Sequence, residues 1–314
     1  MRSQVVIREV GPREALQAHA ENLPTERKVE LVQGLIDAGS KAINAASFVS
    51  PKAMPHMSDA EGVLRGIGPQ EGIQVSGLAP NERAMGRAAA MAAEGLLDHV
   101  FMVHTPSVSV LQANGFPPSL AQNIELVKRN GDLAHEAGMT IGIFVSAAFG
   151  CSMEGRIPQD VTLRTVDDIL AVGVADELII SDSTGQADPA QVSSLLAALA
   201  PVVGSLPVGV HLHDSRGAGI ANAVAALTSP IENLTIDCSF GGLGGDIPFI
   251  PEAAGNIATE DLVAMLDGMG VVTGIDARAV AEVARRYRAW TGLPLRSRVS
   301  EVPPVPWKQS PVLV

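Results

Sequence analysis

The sequence predicts a single (β/α)8 barrel, a TIM barrel with extra C-terminal helices, on three observations. Short apolar runs alternate with amphipathic stretches about eight times over roughly 240 residues, the size and rhythm of that fold. The chain has 314 residues, enough for one large α/β domain or two ordinary ones. A doubly wound open sheet is the competing arrangement, and no G-x-G-x-x-G turn follows the first apolar run to support it.

Taken in order, strands are expected at residues 4–10, 41–47, 72–78, 99–104, 140–146, 177–181, 208–213 and 233–238. Helices are expected between them at 26–38, 82–94, 119–137, 160–172, 189–200 and 217–227. Pro24-Thr25 and Asp188-Pro189 read as helix starts, and Gly39, Gly95, Gly138 and Gly173 as stops. Helical segments 260–269 and 277–290 follow the eighth strand and are expected to close the barrel. The catalytic domain is taken as residues 1–300, and the Pro-containing stretch 301–314 as an extended tail.

Composition narrows the function. Hydrophobic residues make up 46% and aromatics only 3%, so the apolar mass is aliphatic, as where helices cover a buried parallel sheet. A net charge of −12, with 22 Lys and Arg that form no basic stripe, argues against a nucleic-acid partner. Two cysteines predict a reducing compartment, and Cys151 and Cys238 read as small buried hydrophobes. Arg2 is followed at once by the strand-like Val5-Val6-Ile7, and no apolar run reaches membrane-spanning length. The expected address is therefore cytoplasmic, with no membrane partner. A homo-oligomer is expected, as for many soluble barrels.

In a barrel, chemistry sits where strands end. His211-Leu212-His213-Asp214 ends the seventh strand, and residues two apart on a strand face the same side, so both imidazoles can meet at one point. Two polar residues finishing a strand are the plainer account. Val10-Gly11-Pro12-Arg13-Glu14 follows the first strand and brings an arginine and a carboxylate to the mouth. They read either as a surface ion pair or as an oxyanion-stabilising Arg13 beside a metal-binding Glu14.

The glycine-rich run 240–246 follows the eighth strand and reads as a mobile loop that closes over substrate, with Asp246 near its tip. Asn256 precedes a helix whose cap is expected at Thr259, and its amide oxygen can complete a site. Two imidazoles, one carboxylate and one amide suit Mg²⁺ or Mn²⁺; zinc is disfavoured because no thiolate joins.

Further residues lie at strand ends. Asp182-Ser183-Thr184-Gly185 can orient a ligand or simply form a turn into a helix, and Ser146 ends the fifth strand. His104 and Ser107 can line the pocket or sit satisfied on the rim, and Lys52 and Arg216 are candidate anion contacts or solvated cations. His19, His56, His99 and His135 have no partner pattern and read as structural.

Several blocks in order resemble the 3-hydroxy-3-methylglutaryl-CoA lyase family. They are E-V-G-P-R-E-A-L-Q (9–17, containing Gln17), S-F-V-S-P-K (47–52, from Ser47 to Lys52), P-H-M (55–57) and G-C-S-M-E-G (150–155). H-L-H-D (211–214), G-G-L-G-G (241–245) and G-N-I-A-T-E-D-L (255–262) continue the series, so the resemblance spans about residues 4–270. It independently implies a TIM barrel that cleaves a 3-hydroxyacyl-CoA in a retro-Claisen reaction. It also implies an acyl-CoA partner, a divalent cation on Glu14, His211, His213 and Asn256, and an enolate-stabilising Arg13.

Four positions depart from that pattern. Glu14 stands where the lyases have Asp, Asn44 where they have Glu, Asp246 in place of a loop cysteine, and Ala20 in place of a CoA-linked lysine. One carboxylate leaves position 44 and one enters at 246, so Asp246 is expected to take over proton transfer once burial raises its pKa. The expectation is a lyase acting on 3-hydroxy-3-methylglutaryl-CoA or a related thioester. The alternatives are an aldolase or Claisen condensing enzyme on a free oxo acid, and a catalytically silent metabolite-binding barrel.

Overall fold

A computed structural model describes residues 2–18, 23–245 and 254–302. Its strands are β1 (Val6–Glu9), β2 (Ala42–Ser47), β3 (Gln74–Leu78), β4 (His99–His104) and β5 (Thr140–Val145). A small hairpin, β6 (Gly150–Cys151) and β7 (Gly155–Arg156), precedes β8 (Glu177–Asp182), β9 (Val208–Leu212) and β10 (Leu234–Cys238). Eight of these close a barrel in the order β1-β10-β9-β8-β5-β4-β3-β2, with every neighbouring pair parallel. All eight expected strands are therefore present, each within two residues of its expected ends. The open-sheet alternative is excluded because β1 pairs with both β10 and β2.

The helices are α1 (Gly11–Ala18), α2 (Thr25–Asp37), α3 (Ala60–Ile67), α4 (Glu82–Ala93), α5 (Val108–Ala113) and α6 (Leu120–Glu136). They continue as α7 (Gln159–Ala171), α8 (Pro189–Val203), α9 (Gly219–Leu227), α10 (Thr259–Gly268) and α11 (Ala277–Thr291). Gly39, Gly95, Gly138 and Gly173 follow helix ends with positive φ, where a side chain would be strained. Asp188 caps α8 in a capping box with Gln191. Among the described residues, no helix is long and apolar enough to cross a membrane. Cys151 and Cys238 are both buried and free.

Residues after β1 wind at once into α1, where Pro12 supplies a helical φ and the Arg13 and Glu14 amides bond to the Val10 carbonyl. The structure corrects two expectations. Thr259 does not cap α10; Ala258 holds that position, and the Thr259 hydroxyl is spent on Glu9.

The described part of the glycine-rich run is likewise a packing element. Phe240–Gly242 is a buried 3-10 turn. A Cβ on Gly241 would come within 2.9 Å of Leu295, and one on Gly242 within 3.0 Å of Arg296. The missing side chains let residues 295–297 pack against it, held by the Arg296 and Ser297 amides bonding to the Gly241 carbonyl. Asp246, the expected loop tip, lies outside the described residues, as does the tail beyond Val302.

The barrel interior is layered. Leu78, Phe101, Phe144 and Ile179 form an apolar layer. Packed against Phe101 is a buried charge cluster of Arg8, Glu177 and Asp237, in which Arg8 Nη1 is 2.7 Å from Glu177 and Nε 2.8 Å from Asp237. Gly209 makes room for it, since a Cβ there would sit 2.9 Å from Arg8 Nη2.

Candidate active site

At the mouth, above the apolar layer, β9 delivers His211 from its interior and His213 from one residue past its end. Each imidazole has a distinct acceptor at Nδ1. For His211 it is the Asp237 carboxylate at 2.9 Å, and for His213 the Ala254 carbonyl at 3.2 Å. These acceptors call for a proton on each Nδ1, which leaves both Nε2 atoms with bare lone pairs. The two Nε2 atoms face each other at 3.2 Å, and Glu14 Oε1 lies 3.7 Å from that of His211. Ligand atoms of Glu14, His211 and His213 all lie within 4.8 Å of one another, a geometry able to hold a metal ion.

Asn256 comes to this point by backbone pairing. It bridges to His213, with Asp214 N–H donating to the Gly255 carbonyl and Ile257 N–H to that of Leu212. Its side chain is buried, and neither its Oδ1 nor its Nδ2 has a partner. An orphaned amide costs free energy unless something occupies it. Two imidazole nitrogens and a carboxylate therefore fit a divalent cation, and Asn256 pairs with His213 through its backbone with its amide unpartnered.

Arg13 pairs with Glu14 from the first turn of α1, and its guanidinium lies 5.9 Å from the centre of the Phe144 ring. Both are largely buried, so this is not a surface ion pair. Burial would raise the Glu14 carboxyl, but neighbouring positive charge, the Arg13 guanidinium first, holds it below its ordinary range. Burial, and then His211, push His213 down to about 4, which keeps it neutral at physiological pH.

A cavity of about 640 Å³ opens over these groups. Gln17, Ser146 and Ser183 line it, as do Arg13, Glu14, His211 and His213. Ser183 Oγ lies 3.1 Å from Ser146 Oγ and 3.0 Å from Ser181 Oγ, forming a strip of neutral hydroxyls on one wall. Ser47 is buried behind Gln17 and donates to its side-chain oxygen at 3.2 Å.

Other predicted residues sit elsewhere. Lys52 is exposed and does not line the cavity. His104 is also off the lining, its Nδ1 against Asn123 and its pKa lowered by burial, so it is a satisfied rim histidine. Arg216 donates to the Thr184 and Gly185 carbonyls and pins a turn rather than facing an anion. Asp182 accepts the Gln186 and Ala187 amides at 2.9 and 3.0 Å, so both oxygens hold the turn into α8. Asn44 is buried beside a register shift in β2, both amide atoms unpartnered, and is not on the lining.

Reading strand ends missed Asp237, Glu9 and Ser181. A signal existed for Asp237, since an acid flanked by apolar residues inside a strand run (Ile236-Asp237-Cys238) is costly unless paired.

The HMGL-like family model matches residues 4–286. Hydroxymethylglutaryl-CoA lyase YngG of Bacillus subtilis is 33% identical over 299 residues, covering 95% of this chain and 97% of that one. The (R)-citramalyl-CoA lyase of Chloroflexus aurantiacus is 33% identical over 311 residues, covering 96% and 95%. Among solved structures, an HMG-CoA lyase from Acinetobacter baumannii in complex with coenzyme A and 3-methylmalate has a TM-score of 0.89 at 31% identity, covering 99% of this chain and 98% of that one.

Proposed function

Because this chain belongs to the HMGL-like family and is a carbon–carbon lyase, we propose that it cleaves a 3-hydroxyacyl-CoA thioester into an acyl-CoA and a keto compound. Candidate substrates are 3-hydroxy-3-methylglutaryl-CoA and citramalyl-CoA, the substrates of its relatives. Coenzyme A in a related structure supports a thioester partner.

The observation that carries this reading is the pair of Nε2 atoms facing each other at 3.2 Å beside Glu14, each ring held at Nδ1 by an acceptor of its own. Glu14, His211, His213 and Asn256 would hold a divalent cation, Mg²⁺ or Mn²⁺ by the oxygen share of the set and the absence of a thiolate. When bound, such a cation would supply Lewis acidity to substrate oxygens, making the hydroxyl easier to deprotonate.

The chain's own groups do the rest. Asp246, as a carboxylate, takes the proton of the substrate hydroxyl, whose carbon becomes a carbonyl as the C2–C3 bond breaks. The electron pair passes to the thioester as an enolate. The Arg13 guanidinium faces the cavity and stabilises that developing negative charge. Ser146 and Ser183 orient the acyl group through their hydroxyls. Gln17, steadied by Ser47, lines the same cavity. Asp246 returns a proton to the enolate carbon as the acid of the step. The chain works as a homo-oligomer in the cytoplasm, which light scattering and fractionation would check.

The test offers the purified protein both thioesters and the corresponding free acids, with Mn²⁺ and with a chelator. Metal-dependent release of an acyl-CoA is the expected result. Turnover of free acids alone would favour an aldolase, and no turnover with no metal retained would favour a silent barrel.

A further inference from the structure

We propose that Asp237 is a positioning residue for His211, and that Arg8 dictates which way Asp237 acts. The inference rests on the metal-site reading above, but its first measurement needs neither metal nor substrate.

Arg8 and Asp237 are fully buried in the barrel interior, and neither lines the cavity, so neither can touch substrate. Arg8 Nε donates to Asp237 Oδ1 at 2.8 Å, and Nη2 lies 2.8 Å from the same residue's carboxylate. Its remaining arm, Nη1, is held by Glu177 at 2.7 Å, and its guanidinium lies 4.6 Å from the Phe101 ring centre. The arginine is thus fixed on three sides. Gly209 leaves the space it fills.

A guanidinium has donors and no acceptor. Arg8 therefore requires an acceptor at Oδ1, leaving Oδ2 for His211 Nδ1 at 2.9 Å. Because a carboxylate only accepts, that contact holds the His211 proton on Nδ1 and leaves Nε2 bare toward Glu14 and His213. The floor of the barrel sets which nitrogen faces its mouth.

This predicts a directional failure. In Asp237→Asn, Arg8 claims the amide oxygen, so the NH2 group must turn to His211. The ring must then accept at Nδ1 and carry its proton on Nε2, in the middle of the site. Arg8 makes the isosteric change a tautomer trap.

The experiment reads histidine ring nitrogens by ¹⁵N NMR in the metal-free full chain, with Mn²⁺ titration and thermal melting alongside. Wild type is expected to show the His211 proton on Nδ1, and Asp237→Asn to show it on Nε2 with Mn²⁺ binding weakened about 10–100-fold. In the Arg8→Met/Asp237→Asn double variant the amide is free to turn, and binding should recover relative to the single variant.

A wild-type proton on Nε2 would overturn the proposal, whatever the variants do. So would an Asp237→Asn protein that melts lower yet keeps the wild-type tautomer and affinity, which is the signature of a merely structural role. A folded double variant no tighter than the single one removes Arg8 from the account. If the double variant does not fold, the tautomers of wild type and Asp237→Asn decide. Wild-type protein that fails to bind Mn²⁺ would count against the metal reading, not against this one.

Discussion

The Glu9 carboxylate accepts the hydroxyl proton of Thr259 at 2.7 Å, joining the first barrel strand to the first turn of α10 across 250 residues of chain. Its other oxygen accepts the Gly11 and Phe240 amides at 2.7 and 3.1 Å. One buried side chain thus ties together the start of α1, which carries Arg13 and Glu14, the glycine-rich turn and the segment after Asn256.

Burial pushes Glu9 up to about 8 despite those three donors. A carboxyl whose folded pKa lies above its unfolded value favours folding while protonated. Between about pH 4.5 and about pH 8, the unfolded chain loses a proton that the folded chain keeps, so stability falls as pH rises. Glu260, raised to about 7 by burial, acts in the same direction. Glu9→Gln, whose amide can still face Thr259, should flatten the decline of Tm from about pH 5 to about pH 9. An unchanged slope would show that Glu9 is not its source.

His213→Ala removes one of the two bare nitrogens. Metal retention measured on the purified protein should fall by at least about a hundredfold, with activity lost in parallel. Retained Mn²⁺ would mean that the ion binds elsewhere.

Arg13→Met leaves the four proposed ligands in place and removes the guanidinium from the cavity. The expected change is a fall in kcat of about 10²–10³, with Mn²⁺ titration still saturating. A rise in KM alone would assign Arg13 to substrate binding rather than to the developing charge.

Gly255→Ala tests how Asn256 is placed. A Cβ at position 255 would lie 2.0 Å from the Leu243 carbonyl oxygen and 2.6 Å from Gly244 N, both rigid backbone. The segment must move, and with it the bridge between His213 and Asn256. The variant should lose at least about 1–3 kcal/mol of stability, read by denaturant unfolding, and bind Mn²⁺ more weakly. Unchanged stability and affinity would show that this close approach is not needed.

Much of the molecule is legible in local pattern. The eight strands show as short apolar runs, the helix stops as glycines, and the facing of His211 and His213 as a spacing of two. Each of these depends on backbone geometry within a few residues, which a sequence carries directly. The family blocks add the ligand set but not its geometry.

What local pattern misreads are residues whose partner is remote. Thr259 reads as a helix cap because capping is the local use of a threonine, yet Glu9 claims it from the other end of the chain. Residues 240–242 read as mobile because glycine lacks a side chain, yet that lack is what allows Leu295 and Arg296 to pack on them.

The sequence by itself determined the barrel, the strand ends that carry chemistry and the residue types a cation would need, because all follow from short-range periodicity and donor chemistry. Only the tertiary structure decided that Asp237 faces His211, that Arg8 lies behind it and that Asn256 arrives beside His213. These contacts join elements brought together when the barrel closes and the chain returns across its mouth, and no spacing along the chain encodes which side chains then meet.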